Sequence, residues 1–339
     1  MPQEQGLPTT LKPFVASLKA DNPIGHLNMT VVPLRGERHD KPDYMLASDA
    51  IAAGLLTITE ISEGGSVPEL MVISRSDHMI LLLDGEELIG AKQNRILNTS
   101  VLLPPNAQTR IPVSCVEQGR WHHASDTFSS GSYSPARLRA RKSVDVTRSL
   151  RQERGARSDQ AAVWDEVAGR ISGMGAASPT MALNDAVRQR QGSIAGYVDA
   201  LQYPPGAVGV VVAIDGQFSV MDAFDKPDTL QRMWIRLVTG YVIDAISGPP
   251  DQSRTFSLKA AETLLEQVGE IPCTPCPTVG VGQDWRFDST DIVGQALAVD
   301  GVCVHLGVFP RVGRSSKPAG PGILPPSRRG GRPGPGRTE

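Results

Sequence analysis

Three Asp-Gly dipeptides, each set between strand-like runs, constrain the fold of this chain more than any other local feature. Asp84-Gly85 follows Met79-Ile-Leu-Leu-Leu and precedes Glu86-Glu-Leu-Ile. Asp215-Gly216 separates the apolar run 208–214 from Gln217-Phe-Ser-Val, and Asp300-Gly301 separates Ala296-Leu-Ala-Val from Val302-Cys-Val-His-Leu. Asp-Gly tolerates the positive φ angles that a type I′ turn demands, so each dipeptide predicts a β-hairpin.

Helical spacing appears in other stretches. Residues 124–157 are rich in Ser, Arg and Gly and read as a loop entering a basic helix near 136–150. Val163, Trp164, Val167 and Ile171 recur at helical intervals behind a Ser158 cap. Leu230, Met233, Trp234, Leu237, Val238, Tyr241, Val242 and Ala245 make the longest apolar stripe. Ser257 to Val268, stopped by Gly269, and Ser48 to Ala53 before Gly54 complete the set. Strands and helices segregate rather than alternate, which points to the α+β class. The expected architecture is an N-terminal β-sandwich or jelly-roll-like sheet, C-terminal helices and two further hairpins. The expected divisions are an extension at 1–22, a β-rich half at 23–123 and a helical half at 124–310. The helical half carries hairpins at 207–224 and 295–309 and shares a core with the first half or stands apart from it. A disordered Pro/Gly/Arg-rich tail fills 311–339.

Charge and cysteine usage narrow the function classes. The net charge of the chain is −2, while residues 311–339 hold six Arg and one Lys against one Glu, so the rest is acidic. An acidic body argues against broad binding of nucleic acid. No apolar run reaches membrane-spanning length, no secretory h-region is seen in 1–22, and four cysteines make no disulfide framework. A cytoplasmic location is the expectation.

Residues 84–121 carry most of the chemical information. If 94–103 and 111–118 pair as a hairpin centred near Ala107, Leu97 faces Glu117, Arg95 faces Gly119 and Gln93 faces Trp121. An Arg and a Glu on an inner face need a partner, because burying either alone is costly. One reading is a structural Arg95–Glu117 pair. The other is a polar pocket: Lys92, Arg95 and Arg120 supply cations, Gln93 and Asn94 amides, Trp121 a stacking surface and Glu117 a catalytic base. Guanidinium forks beside a flat ring suit a nucleotide or sugar phosphate.

The strings from Leu83 to Thr99 and from Ile111 to Trp121 resemble the signature of the ARG and Rhodanese-Phosphatase-superfamily-associated protein domain. The likeness continues through Ser158-Asp-Gln-Ala-Ala-Val-Trp-Asp-Glu, the Gly206-to-Phe224 hairpin and the closing His305-Leu-Gly-Val-Phe, about residues 15–310. The resemblance implies a place near ADP-ribose or phosphate metabolism, by association with ADP-ribosylglycohydrolases, rhodaneses and phosphatases. It brings no reaction and no catalytic residues.

Other motifs have bland alternatives that outweigh them. Cys273-Thr-Pro-Cys276 with Cys303 and His305 has the arithmetic of a zinc site but not its usual spacing. Adjacent His122 and His123 on a strand would point to opposite faces. Cys115, set in an apolar strand, reads as core rather than nucleophile. The stretch 137–142, Arg-Leu-Arg-Ala-Arg-Lys, reads as a solvated helix face. The preferred function is recognition of an ADP-ribose-like nucleotide or sugar phosphate, with hydrolysis or transfer as its extension. The rival is a non-catalytic ligand-binding or scaffold module serving such enzymes. Cofactor and oligomeric state are not legible.

Overall fold

A computed structural model describes residues 10–61, 68–120 and 123–312. Trp121, His122 and the tail from Gly313 lie outside the described residues. The first half runs α1 (Lys12–Val15), β1 (Lys19–Ala20), β2 (Ile24–His26), β3 (Met29–Arg35), β4 (Tyr44–Leu46), α2 (Ala47–Ala52), β5 (Leu56–Thr59), β6 (Glu69–Ser74), β7 (Met79–Leu82), β8 (Glu86–Gly90), β9 (Arg95–Leu97), β10 (Val101–Leu103), β11 (Gln108–Cys115) and β12 (Phe128–Tyr133). Four helices follow: α3 (Ala136–Arg151), α4 (Gln160–Gly173), α5 (Leu183–Gln189) and α6 (Gln191–Ala200). The remainder is β13 (Gly209–Ile214), β14 (Gln217–Phe224), α7 (Pro227–Ala245), α8 (Leu258–Gly269), β15 (Thr274–Cys276), β16 (Gln283–Asp288), β17 (Ile292–Val299) and β18 (Val302–Pro310). The class is α+β.

Three sheets hold these strands. The largest has the order β1-β3-β13-β14-β18-β17-β16-β15 with β2 on β3, so N-terminal strands sit beside C-terminal ones. A six-stranded sheet runs β12-β8-β9-β11-β6-β5, and a three-stranded one β10-β7-β4. Helices α3, α6 and α7 pack one face of the large sheet through Ala140, Ile194, Leu237 and Tyr241. Helices α1 and α8 cover the other through Leu11, Val15, Leu264 and Val268, so the described part of the expected N-terminal extension belongs to the core. Leu81, Leu83 and Leu102 from the first half share a cluster with Val210, Phe224 and Val304 from the second.

Two of the three Asp-Gly sites close hairpins. Asp215 and Gly216 take φ of 52° and 68°, and Asp300 and Gly301 take 50° and 82°, as a type I′ turn requires. Their flanking strands pair directly. Asp84-Gly85 does not close one. Strand β7 pairs with β10 and β4, whereas β8 pairs with β12 and β9, so the dipeptide carries the chain from one sheet to another. The physical cause is the Asp84 carboxylate, which takes hydrogen bonds from Arg139 Nε at 3.1 Å and Lys142 Nζ at 2.5 Å. The basic helix was placed correctly by sequence, but its cations are not all solvated. Arg139 and Lys142 are fully buried. The cap of α4 is Asp159 rather than Ser158.

Candidate functional site

Strand β9 does pair with β11, but in a register that separates the expected ion pair. Leu97 lies opposite Val113 and Arg95 opposite Cys115, four residues short of the expected partners. The reason lies between them. Residues 101–103 leave to form β10, and the start of β11 is taken by β6, so 98–107 is no simple loop. The shift is even, so Arg95 keeps its inward face.

Arg95 then pairs with Glu60, Nη2 to Oε1 at 3.3 Å, donates to Gln93 Oε1 at 3.3 Å, and lies against Cys115 Sγ. Glu117 pairs instead with Arg120, 2.7 Å from Nη2, and accepts from Thr180 Oγ1 at 2.8 Å and from the Asn94 N–H at 3.2 Å. Arg120 also donates to the Ala91 carbonyl at 2.6 Å and to Asn94 Oδ1 at 3.0 Å, and Gln93 Nε2 donates to the Glu117 carbonyl at 2.7 Å. Gln93, Asn94, Arg95, Glu117 and Arg120 are all buried, and Lys92 is half-buried. Burial pushes the Glu117 carboxyl up, but the hydrogen bonds from Arg120 and Thr180 outweigh it and hold the group below its ordinary value. A carboxylate so held is a weak base. Of the expected site, Gln93, Asn94, Arg95, Glu117 and Arg120 form one connected, buried network. Cys115 has its thiol pushed up to about 11 by burial, unlike an activated nucleophile.

A second network is buried more deeply, where α3 crosses between the sheets. Arg139 grips Asp222 with two bonds of 2.8 Å, Tyr241 donates to Asp222 at 2.6 Å, and His305 Nε2 lies 3.1 Å from it. His305 Nδ1 meets Ser100 Oγ at 2.7 Å, completing a Ser-His-Asp series. All three are at most 2% exposed, and Ser100 Oγ already accepts from the Asp84 N–H at 3.0 Å. The series is covered from solvent and bonded within the interior. It also withdraws His305 from the Cys273-x-x-Cys276 pair. Among the described residues no three His, Cys, Asp or Glu side chains converge as a metal would require.

The open chemistry lies elsewhere, at the start of α7. A cleft of about 650 Å³ is lined by Arg38, Asp40, Asp43, Tyr44, Leu46, Lys226, Asp228, Thr229, Gln231 and Arg232. Arg38 spans its rim, donating to Asp40 and Asp228, each at 2.9 Å, in half-exposed pairs of the kind that exchange readily with solvent or ligand. On its floor the Lys226 ammonium stands 3.8 Å above the Tyr44 ring. Tyr44 Oη lies 2.5 Å from Asp225 Oδ1 and 2.6 Å from Thr229 Oγ1. Asp225, just beneath, is 2% exposed, and its Oδ2 has no hydrogen-bond donor. Burial pushes its carboxyl up to about 6.

Sequence reasoning missed Tyr44, Asp222, Asp225 and Lys226. One signal was present: Asp222 interrupts the otherwise apolar stretch from Val220 to Phe224. Strand β14 is buried on both faces there, so an acid in it must be satisfied by something specific.

Residues 17–309 match the family model described as the ARG and Rhodanese-Phosphatase-superfamily-associated Protein domain. No curated protein and no solved structure matches the chain.

Proposed function

The chain belongs to this family, and on that premise we propose that it recognises a nucleotide or sugar phosphate of the ADP-ribose kind in the cleft at the start of α7. The supporting observation is the mixed lining of that cleft. Lys226, Arg38 and Arg232 offer cations to a phosphate, Tyr44 offers an aromatic face, and Asp40, Asp43 and Asp228 accept from sugar hydroxyls. A lining of both signs suits a ligand that carries anionic and hydroxyl groups together better than it suits a bare anion. The family name, which speaks of association with phosphatase-superfamily proteins, is consistent with that class.

A second reading draws on a specific observation. In the 91–120 network Glu117 pairs with Arg120 and Arg95 with Glu60, and Glu117, held below its ordinary value, is a weak base. Binding without catalysis, in a module that works beside phosphate-metabolising enzymes, accords with this. Calorimetric titration with ADP-ribose and ribose 5-phosphate tests the proposal. Lys226→Ala is expected to weaken binding about tenfold or more, the worth of one charge-assisted hydrogen bond. Arg95→Met is expected to leave affinity unchanged in protein that remains folded. The opposite pattern would move the ligand to the 91–120 segment.

A further inference from the structure

Lys226 has little counter-charge for a buried lysine. Its ammonium sits over the Tyr44 ring at 3.8 Å and donates to the Pro42 carbonyl at 3.3 Å, but its only carboxylate among the described residues, Asp225 Oδ2, is distant at 3.9 Å. Asp225 presents the complementary defect. Tyr44 satisfies one carboxylate oxygen, while the other, covered from solvent, has only this distant cation. A buried carboxylate with one bare oxygen is costly in its charged form, and protonation removes the cost.

We propose that the Asp225 carboxyl is a proton-coupled gate for the cleft: charged, it retains Lys226 inward, and protonated, it releases the ammonium to the phosphate of a ligand. This deepens the reading of the cleft as the ligand site and rests on it. Binding then takes up one proton and moves no covalent bond. The groups around Asp225 are Tyr44 from β4, Glu37 and His39 from the segment before it, Lys226 at the start of α7 and Cys303 from β18, with Arg38 and Asp228 in the adjoining cleft. Burial opposes the charged form of Asp225 and prevails over the Tyr44 hydrogen bond, Lys226 and His39, which favour it. An anion arriving beside Lys226 adds to the opposition, so the bound state holds its proton to higher pH than the free state. Affinity therefore rises as pH falls towards about 6 and levels off below it. Each unit by which the ligand raises that midpoint is worth about tenfold in affinity.

ADP-ribose is the suitable probe, because its two phosphates are diesters whose charge stays fixed over this range. Calorimetry is run between about pH 5 and pH 8 on the full chain and on Asp225→Asn. The ¹⁵N resonance of the Lys226 ammonium is followed over the same range without ligand. The full chain is expected to bind about tenfold more tightly at the acid end, and Asp225→Asn to bind tightly with no such slope. The free Lys226 resonance should move with a midpoint near 6 in the full chain alone. Equal slopes in the two proteins, or a Lys226 resonance without that step, would overturn the gate even where ADP-ribose binds. The step with no ADP-ribose binding would uphold the coupling of Asp225 to Lys226 and overturn the ligand assignment instead.

Discussion

Asp222 and Asp225 stand three residues apart at the end of one strand, and their carboxyls are driven in opposite directions. Both are buried, and in both burial raises the pKa. At Asp222 the paired Arg139 guanidinium, with Tyr241 and His305 beside it, overrides that effect and holds the carboxyl well below its ordinary range. At Asp225 a single Tyr44 bond and a lysine at 3.9 Å do not override it, and the carboxyl rises to about 6. What decides the outcome is whether the partners saturate the group, not how deeply the group is buried. A saturated acid fixes architecture; an unsaturated one beside an open cleft is left able to respond to a ligand.

The sharpest way to break that contrast is to unpair Asp222. Arg139→Met leaves Asp222 with only Tyr241 and His305 and Asp84 with only Lys142, and should cost about 5 kcal/mol in the denaturant-derived unfolding free energy, at the top of the range for a broken buried pair. Because the Asp222 carboxyl is depressed, its contribution is present above the ordinary unfolded value and is lost as pH falls through that region. Acid unfolding of the native protein should therefore steepen below about pH 4. A midpoint shift of only a few tenths of a kcal/mol would show that this network is not what joins α3 to the sheets.

The 91–120 network should behave as a weaker copy of the first. Glu117→Leu and Arg120→Met should each cost about 3 kcal/mol and be strongly non-additive, since each strands the other. Arg95→Met with Glu117→Leu should couple by less than about 1 kcal/mol, because the two charges sit in different ion pairs and are linked only indirectly, through Gln93. Strong coupling between Arg95 and Glu117 would contradict the pairing of Arg95 with Cys115 across the sheet.

Asp225 should show the reverse sign. Its folded value is raised, so its contribution is complete below about pH 4 and is lost as pH rises to about 6. Asp225→Asn should accordingly gain about 2 kcal/mol relative to the native protein between those limits. A difference independent of pH would remove Asp225 from the titrating groups. The smallest effect belongs to the turns. Gly301→Ala has open space for its Cβ and should cost about 1 kcal/mol through φ alone, and Gly216→Ala should cost more, since its Cβ would come within 2.5 Å of Arg254. Equal thermal midpoints for both variants would mean that these turns relax freely.

Legibility in the sequence followed locality. The type I′ turns at 215–216 and 300–301 and the stripe of α7 are written in adjacent residues, and they were readable. Asp84-Gly85 carries the same local signal with a different outcome, because Arg139 and Lys142, more than fifty positions away, claim the aspartate. The residue types of the polar segment were identified, and five of them do face inward together. Their pairing was not readable, since register depends on β6 and on the departure of β10. The Tyr44–Lys226 cleft was invisible for the same reason: it joins the segment 38–46 to the start of α7, and nothing local marks either side.

Entry of the ligand at α7 rather than at 91–120 is the central proposal. Backbone amide shift mapping during titration with ADP-ribose tests this directly. The prediction is a contiguous set of perturbations over 38–46 and 226–232, saturable and diminished in Lys226→Ala. Saturable perturbations confined to 91–120, with those two segments still, would contradict it.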